Sequence, residues 1–158
     1  MAAYGEIFRK QRLTPGQLRA VAERRFRDAL YLEQSGENER ANGAIYMGGF
    51  VIECLLKALL LERHPNLQQP VDPAGLSVPD REVHKLIYQS HSLEEMLLFL
   101  SDIEIKFTQR DPVTWARFRA SCEEWTVYAR YSPRSAPLAD ARDFLDTIEQ
   151  VKEWLKEP

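Results

Sequence analysis

The chain has 158 residues, 44% of them hydrophobic and 28% charged, with a formal net charge of −3. That is enough chain for one domain with its own apolar core and too ordinary a balance for a disordered or fibrous protein. Its two cysteines, Cys54 and Cys122, are too few for a disulfide scaffold or a zinc knuckle, and both fall within apolar helical patterns as reduced core residues.

The first residues, MAAYGEIFRKQR, have no apolar leader pattern, so a cytoplasmic location is expected, with residues 1–13 as an N-terminal arm. Basic residues outnumber acidic ones over 1–30 (Arg9, Lys10, Arg12, Arg19, Arg24, Arg25 and Arg27 against Glu6, Glu23 and Asp28). They do so again over 105–135, which leaves the remainder acidic. Such basic faces attract phosphate locally, and solvated helix surfaces carry the same pattern.

Thr14-Pro15-Gly16-Gln17 predicts a capped helix start, and Leu18, Val21, Ala22, Phe26, Ala29 and Leu30 keep a 3.6-residue period until Ser35-Gly36. A second helix is predicted from about 37–40 to Arg63, ended by His64-Pro65. Its segment 44–61, AIYMGGFVIECLLKALLL, is apolar except for Glu53 and Lys57. Two central charges oppose insertion by about 5–7 kcal/mol, so the segment reads as a buried bundle helix and no membrane association is expected.

Glu53 and Lys57 are an i, i+4 pair in the favourable order. They form either a partly exposed stripe or a polar seam, inside the bundle or across a dimer. Gly43, Gly48 and Gly49 cost this helix about 1 kcal/mol each relative to alanine, which a close approach of another helix or a second subunit would offset.

Residues 64–80 predict a proline-rich loop, with a short helix following around 81–88. Ser92-Leu93-Glu94-Glu95 caps a third long helix carrying Leu93, Met96, Leu97, Leu100 and Ile103 on one face. Asp111-Pro112 opens another, on which Trp115, Phe118, Cys122, Trp125 and Ala129 make one continuous stripe. The last helix carries Leu138, Ala141, Leu145, Ile148, Val151 and Leu155, with Asp140 and Asp143 early and Lys152 and Lys156 late, as the macrodipole prefers. With no strand-like alternation, the expected fold is all-α: an up-and-down bundle of four long helices plus one or two short ones, in a single domain over 1–158.

His64, His84 and His91 do not have metal-ligand spacing, and there is no glycine-rich phosphate loop, so no metal and no cofactor is expected. The stretch WTVYARYSPRS, 125–135, stands directly before the last helix. It reads either as a helix start capped by Ser135 or Ala136, with Arg130 paired to Glu53 or another carboxylate, or as a phosphate pocket at a helix N-terminus.

Several of these segments resemble the HEPN family (higher eukaryotes and prokaryotes nucleotide-binding domain). GGFVIECLLKALL is similar to its central helix, Arg25-Phe26-Arg27-Asp28-Ala29-Leu30 to its first, His91-Ser92-Leu93 to the entrance of its third, and Trp125 with Arg130-Tyr131 to the stretch before its last. The match runs in order over roughly 16–156. The resemblance implies a homodimeric bundle found in toxin–antitoxin, abortive-infection or CRISPR-associated systems. Members are metal-independent ribonucleases, or non-catalytic modules that bind nucleotides or partner a minimal nucleotidyltransferase.

The nuclease members carry Arg, four to six residues, then His. Arg130 fits the front half of that motif, but the corresponding positions here run from Ser135 to Pro137. A serine hydroxyl cannot act as a general base at neutral pH, whereas arginine still holds phosphate. The expected protein is therefore a non-catalytic HEPN-like module binding nucleotide or RNA phosphate, or a partner protein, through Arg130, Tyr131, Arg134 and Ser135. Glu53, Lys57 and His91 form a second-line polar seam. The alternatives are a HEPN ribonuclease whose acid–base group comes from elsewhere, such as His91, and a purely structural dimerisation module.

Overall fold

A computed structural model describes residues 13–68 and 72–156. Among them are seven α-helices and no strand: α1 Pro15–Gln34, α2 Ala41–Arg63, α3 Val78–Gln89, α4 Leu93–Leu98, α5 Ser101–Arg110, α6 Pro112–Glu124 and α7 Leu138–Lys156. This is an all-α bundle. Much of the expected arm, with Arg9, Lys10 and Arg12, lies outside the described residues.

The capping signals act as written. Thr14 accepts from the Gln17 N–H, Ser92 from that of Glu95, and Asp111 from those of Val113 and Thr114. Gly36 takes φ of 73° to turn the chain between α1 and α2, a conformation glycine adopts without a Cβ penalty.

Three boundaries depart from expectation. Helix α3 begins at Val78 because Ser77 accepts from the Asp80 N–H and Pro79 fits the first turn, so 78–80 belong to helix and not to loop. The rest of that stretch is partly ordered as 3₁₀ turns at 65–68 and 73–75. The third long helix is two helices, α4 and α5, parted by a turn at Phe99 and Leu100. All five residues of its predicted face are still buried, because a side-chain periodicity survives a break of one turn. The stripe after Asp111 also breaks: α6 stops at Glu124, Trp125 caps it in extended conformation, and Ala129 sits half-buried in a 3₁₀ segment, 127–131.

Helix α2 is the axis of the core. It packs along α1 and against α3, α4 and α7, and Val51, Leu56, Ala58, Leu60 and Leu61 are fully enclosed. It is long and apolar enough to cross a membrane, but 72% of its most apolar window is buried against the protein's other helices. Its glycines face this chain's own side chains: Gly48 meets Ile148, Phe144 and Leu145 of α7, Gly49 meets the Trp125 ring, and Gly43 meets Leu32. The close approaches that offset their helix cost are therefore internal, and the glycines supply no argument for a second subunit.

Ion pairs tie the rim. Arg19 forks onto Glu62, Arg63 onto Asp102, and buried Lys152 reaches Glu23 while lying 4.5 Å over the Phe26 ring. Burial pushes the half-buried Cys54 thiol up to about 11, so it is protonated at neutral pH, and Cys122 is the one enclosed in the core. The Arg63 guanidinium holds the Asp102 carboxyl below its ordinary range, and the Thr114 N–H does the same for Asp111. A carboxyl depressed in the folded state stabilises fold above its unfolded pKa and loses that contribution as pH falls through the folded value. The melting temperature, followed by circular dichroism, should be flat from neutral pH to about 5 and decline below about 4.

Candidate functional site

On α2, Tyr46, Phe50, Glu53 and Lys57 lie at offsets of 4, 7 and 11, which places them on one face. Glu53 and Lys57 are buried, 5% and 7% exposed. Lys57 Nζ donates to Glu53 Oε1 at 2.7 Å, and His91 Nδ1, from the turn between α3 and α4, stands 3.0 and 3.1 Å from the two carboxylate oxygens. The Glu53–Lys57 pair is thus an internal seam within one chain and not a solvated stripe. Two ionised groups removed from water require this: each satisfies the other, and His91 takes the remaining acceptor capacity of the carboxylate.

The His91 side chain itself is 54% exposed. A carboxylate only accepts, so Nδ1 is the donor in this contact.

An aromatic series runs up α2 from that seam. The His91 ring stands edge-on to Phe50 at 6.3 Å, Phe50 edge-on to Tyr46 at 4.9 Å, and Tyr46 stacks on Trp125 at 6.1 Å. At its far end the Tyr46 hydroxyl accepts from Arg130 Nη1 at 3.2 Å. The Arg130 guanidinium also lies 4.7 Å over the ring of Tyr131, which is 68% exposed. Tyr46 and Glu53 are about 10 Å apart along the helix axis, so Arg130 and His91 flank the same short stretch of α2.

Among the described residues neither Arg130 nor Arg134 is within ion-pair distance of a carboxylate. The alternative in which Arg130 pairs with Glu53 is not what the structure has; Lys57 and His91 occupy that carboxylate.

The four residues expected to form one pocket separate into two places. Arg130 and Tyr131 belong to the Tyr46 face. Arg134 and Ser135 line a different, shallow cavity of about 360 Å³ with Asn42 and Ser132. Asn42 fastens this loop, donating to the Arg134 carbonyl at 2.6 Å and accepting from the Ala136 N–H at 2.8 Å.

The helix start is also corrected. Helix α7 begins at Leu138, three residues beyond Ser135, and the Leu138 N–H is taken by Asn38 Oδ1 at 3.1 Å. Neither Ser135 nor Ala136 caps it, and that donor is unavailable to a ligand. Pro137, with no N–H of its own, fits just ahead of the first turn.

Sequence reasoning passed over Tyr46, Asn38 and Asn42. The offset of Tyr46 from Glu53 was a readable signal for the first. The two asparagines act across about a hundred residues of chain, and no local pattern announces such a contact.

The chain matches no protein-family model, no curated protein and no solved structure. What this face can do therefore follows from its geometry.

Proposed function

We propose that the protein is a HEPN-like, cytoplasmic helical module that binds the phosphate of a nucleotide or RNA on the α2 face, in a toxin–antitoxin or defence-type system. The observation that carries this reading is the Arg130 guanidinium. It is exposed, free of any carboxylate among the described residues, and held in place by the Tyr46 hydroxyl and the Tyr131 ring. A structural arginine is consumed by its partner; this one is oriented by neutral groups that leave its charge for an anion. The neighbouring exposed aromatics, Tyr128 and Tyr131, suit bases stacked beside a backbone phosphate.

Homodimerisation, and pairing with a minimal nucleotidyltransferase, belong to this proposal through the HEPN resemblance alone. Light scattering should find a species of twice 18.3 kDa at tens of micromolar, about the range in which a standard interface stays assembled. A monomer there would remove the dimer from the account and leave the Arg130 site standing.

Arg130→Ala should weaken binding of a short single-stranded RNA by about 1.5–3 kcal/mol, the scale of a charged hydrogen bond. It should leave the melting temperature unchanged, since the side chain is exposed. Unchanged binding with a collapsed melting temperature would give Arg130 a structural role and sink the proposal.

One observation favours the ribonuclease alternative: the half-exposed His91 side chain is held by the buried Glu53 carboxylate, beside the same stretch of α2 as Arg130. RNA cleavage that survives chelator and is lost in both Arg130→Ala and His91→Ala would select that alternative. Cleavage no faster than in those variants would select the non-catalytic module.

A further inference from the structure

The largest concavity among the described residues is not on the Arg130 face. It is a groove of about 880 Å³ with a helix along each side. Arg117, Ala120, Ser121 and Glu124 line it from α6, at offsets of 3, 4 and 7. Asp140, Asp143, Phe144 and Thr147 line it from α7 at the same offsets. Each set is therefore one helix face, about 10 Å or two turns long. Thr114 and Gln150 meet at 3.1 Å, so the two helices run antiparallel and the groove opens beyond that contact. Half-buried Ile45 and Ala129 lie between them. Arg117 stands toward the Thr147 end and Glu124 toward the Asp140 end. Glu124, Asp140 and Asp143 are exposed. None of the three is within ion-pair distance of a cation among the described residues.

We infer that this groove docks a basic amphipathic helix of a partner protein. Two helix faces with a gap between them leave a seat for a third helix. Such a seat is filled by apolar residues recurring at i, i+3, i+4 and i+7. Half-buried Phe144 and Ile45 offer those residues apolar surface, and Ala120 and Ala129 are small enough to allow a close approach. The carboxylates then select the charge of the occupant. Lysine or arginine flanking the apolar stripe meets three anions that have no cation of their own. An acidic segment or a phosphate is repelled by the same three groups. Arg117 opposes cations only at the far end. Neither Arg130 nor Tyr131 lines the groove, so this surface and the proposed phosphate site stand or fall separately.

The probe is a fluorescent peptide of about 14 residues, long enough to populate helix, with leucine along one helix face and lysine elsewhere. Anisotropy should show binding to the full chain at or below about 100 μM. The Asp140→Lys, Asp143→Lys double variant should weaken it at least about tenfold. Glu82→Lys with Glu94→Lys makes the same charge change at exposed positions of α3 and α4 outside the groove, and should stay within about threefold of wild type. Ala120→Trp, at an exposed position on the α6 wall, obstructs the groove without altering charge and should also cost at least about tenfold. Circular dichroism checks that each variant folds. A peptide of the same composition with its leucines scattered around the helix should bind at least about tenfold more weakly than the probe. Four outcomes overturn the inference. They are no binding at about 1 mM, equal losses in the two charge variants, equal affinity for the scattered peptide, and self-assembly of the protein that Asp140→Lys with Asp143→Lys abolishes. The second would mean diffuse attraction to an acidic chain, and the last would give the groove to a second copy.

Discussion

Lys57→Ala should destabilise the protein by about 3–5 kcal/mol, because it leaves Glu53 in the core with its principal countercharge gone. Lys57 Nζ lies 2.7 Å from Glu53 Oε1 and both side chains are under one-tenth exposed. His91 cannot make up the loss while neutral: it donates one hydrogen bond to the carboxylate but brings no charge. For a domain of this size the loss corresponds to a fall in melting temperature of roughly 6–20 °C. Replacing both residues with apolar ones of similar volume, Glu53→Leu with Lys57→Met, should recover most of it, since a buried pair repays little more than its own desolvation. Its retention costs little stability and leaves His91 oriented at the surface. A shift of Lys57→Ala too small to detect by calorimetry would mean that the seam is hydrated, and His91 would then lose its fixed partner.

Gly49→Ala carries the other large effect, opposite in sign to helix propensity. Alanine in mid-helix is worth about 1 kcal/mol over glycine. A Cβ at this position, however, would overlap the Trp125 indole at Cε2, Nε1 and Cδ2. Moving the ring would disrupt its packing: Trp125 is 7% exposed and lies against Phe50 and Tyr46, with its indole N–H buried and without a hydrogen-bond partner among the described residues. The steric penalty should exceed the propensity gain, for a net loss of about 2 kcal/mol or more.

Gly48→Ala is the control. Its new Cβ would meet only the ends of Ile148, Phe144 and Leu145 side chains at 2.8–3.0 Å, which can shift, so it should fall within about 1 kcal/mol of wild type. Equal melting temperatures for the two variants would show that Trp125 does not press on α2. Because Trp125 stacks with Tyr46, Gly49→Ala should also loosen the Arg130 anchor.

The contrast between these glycines shows what the sequence could and could not disclose. Gly48 and Gly49 announced a close approach, but a sequence cannot say whether a neighbour is a backbone, a second chain or, as here, an indole. Caps and helical periodicity were legible because they are local: Thr14, Ser92 and Asp111 each act within three residues. The break at Phe99 was hidden because Leu93 to Ile103 keep their burial through it. Glu53 and Lys57 were legible as a pair but not as buried, since burial depends on α4 and on His91, some forty residues on. The loop 125–135 was the hardest. Its charges drew attention correctly, yet Arg130 and Arg134 part company because Tyr46 takes one while Asn42 fixes the backbone of the other.

If Arg130 gives its charge to a phosphate, the salt dependence of binding measures it directly. Binding of a short single-stranded RNA should be followed by fluorescence anisotropy from about 50 to 200 mM salt, for wild type and Arg130→Ala. Each phosphate neutralised releases counterions and steepens the plot of log affinity against log salt by about 0.7 for a single strand. Arg130→Ala should bind more weakly, with a slope shallower by about that amount. Identical slopes and affinities for the two proteins would contradict it.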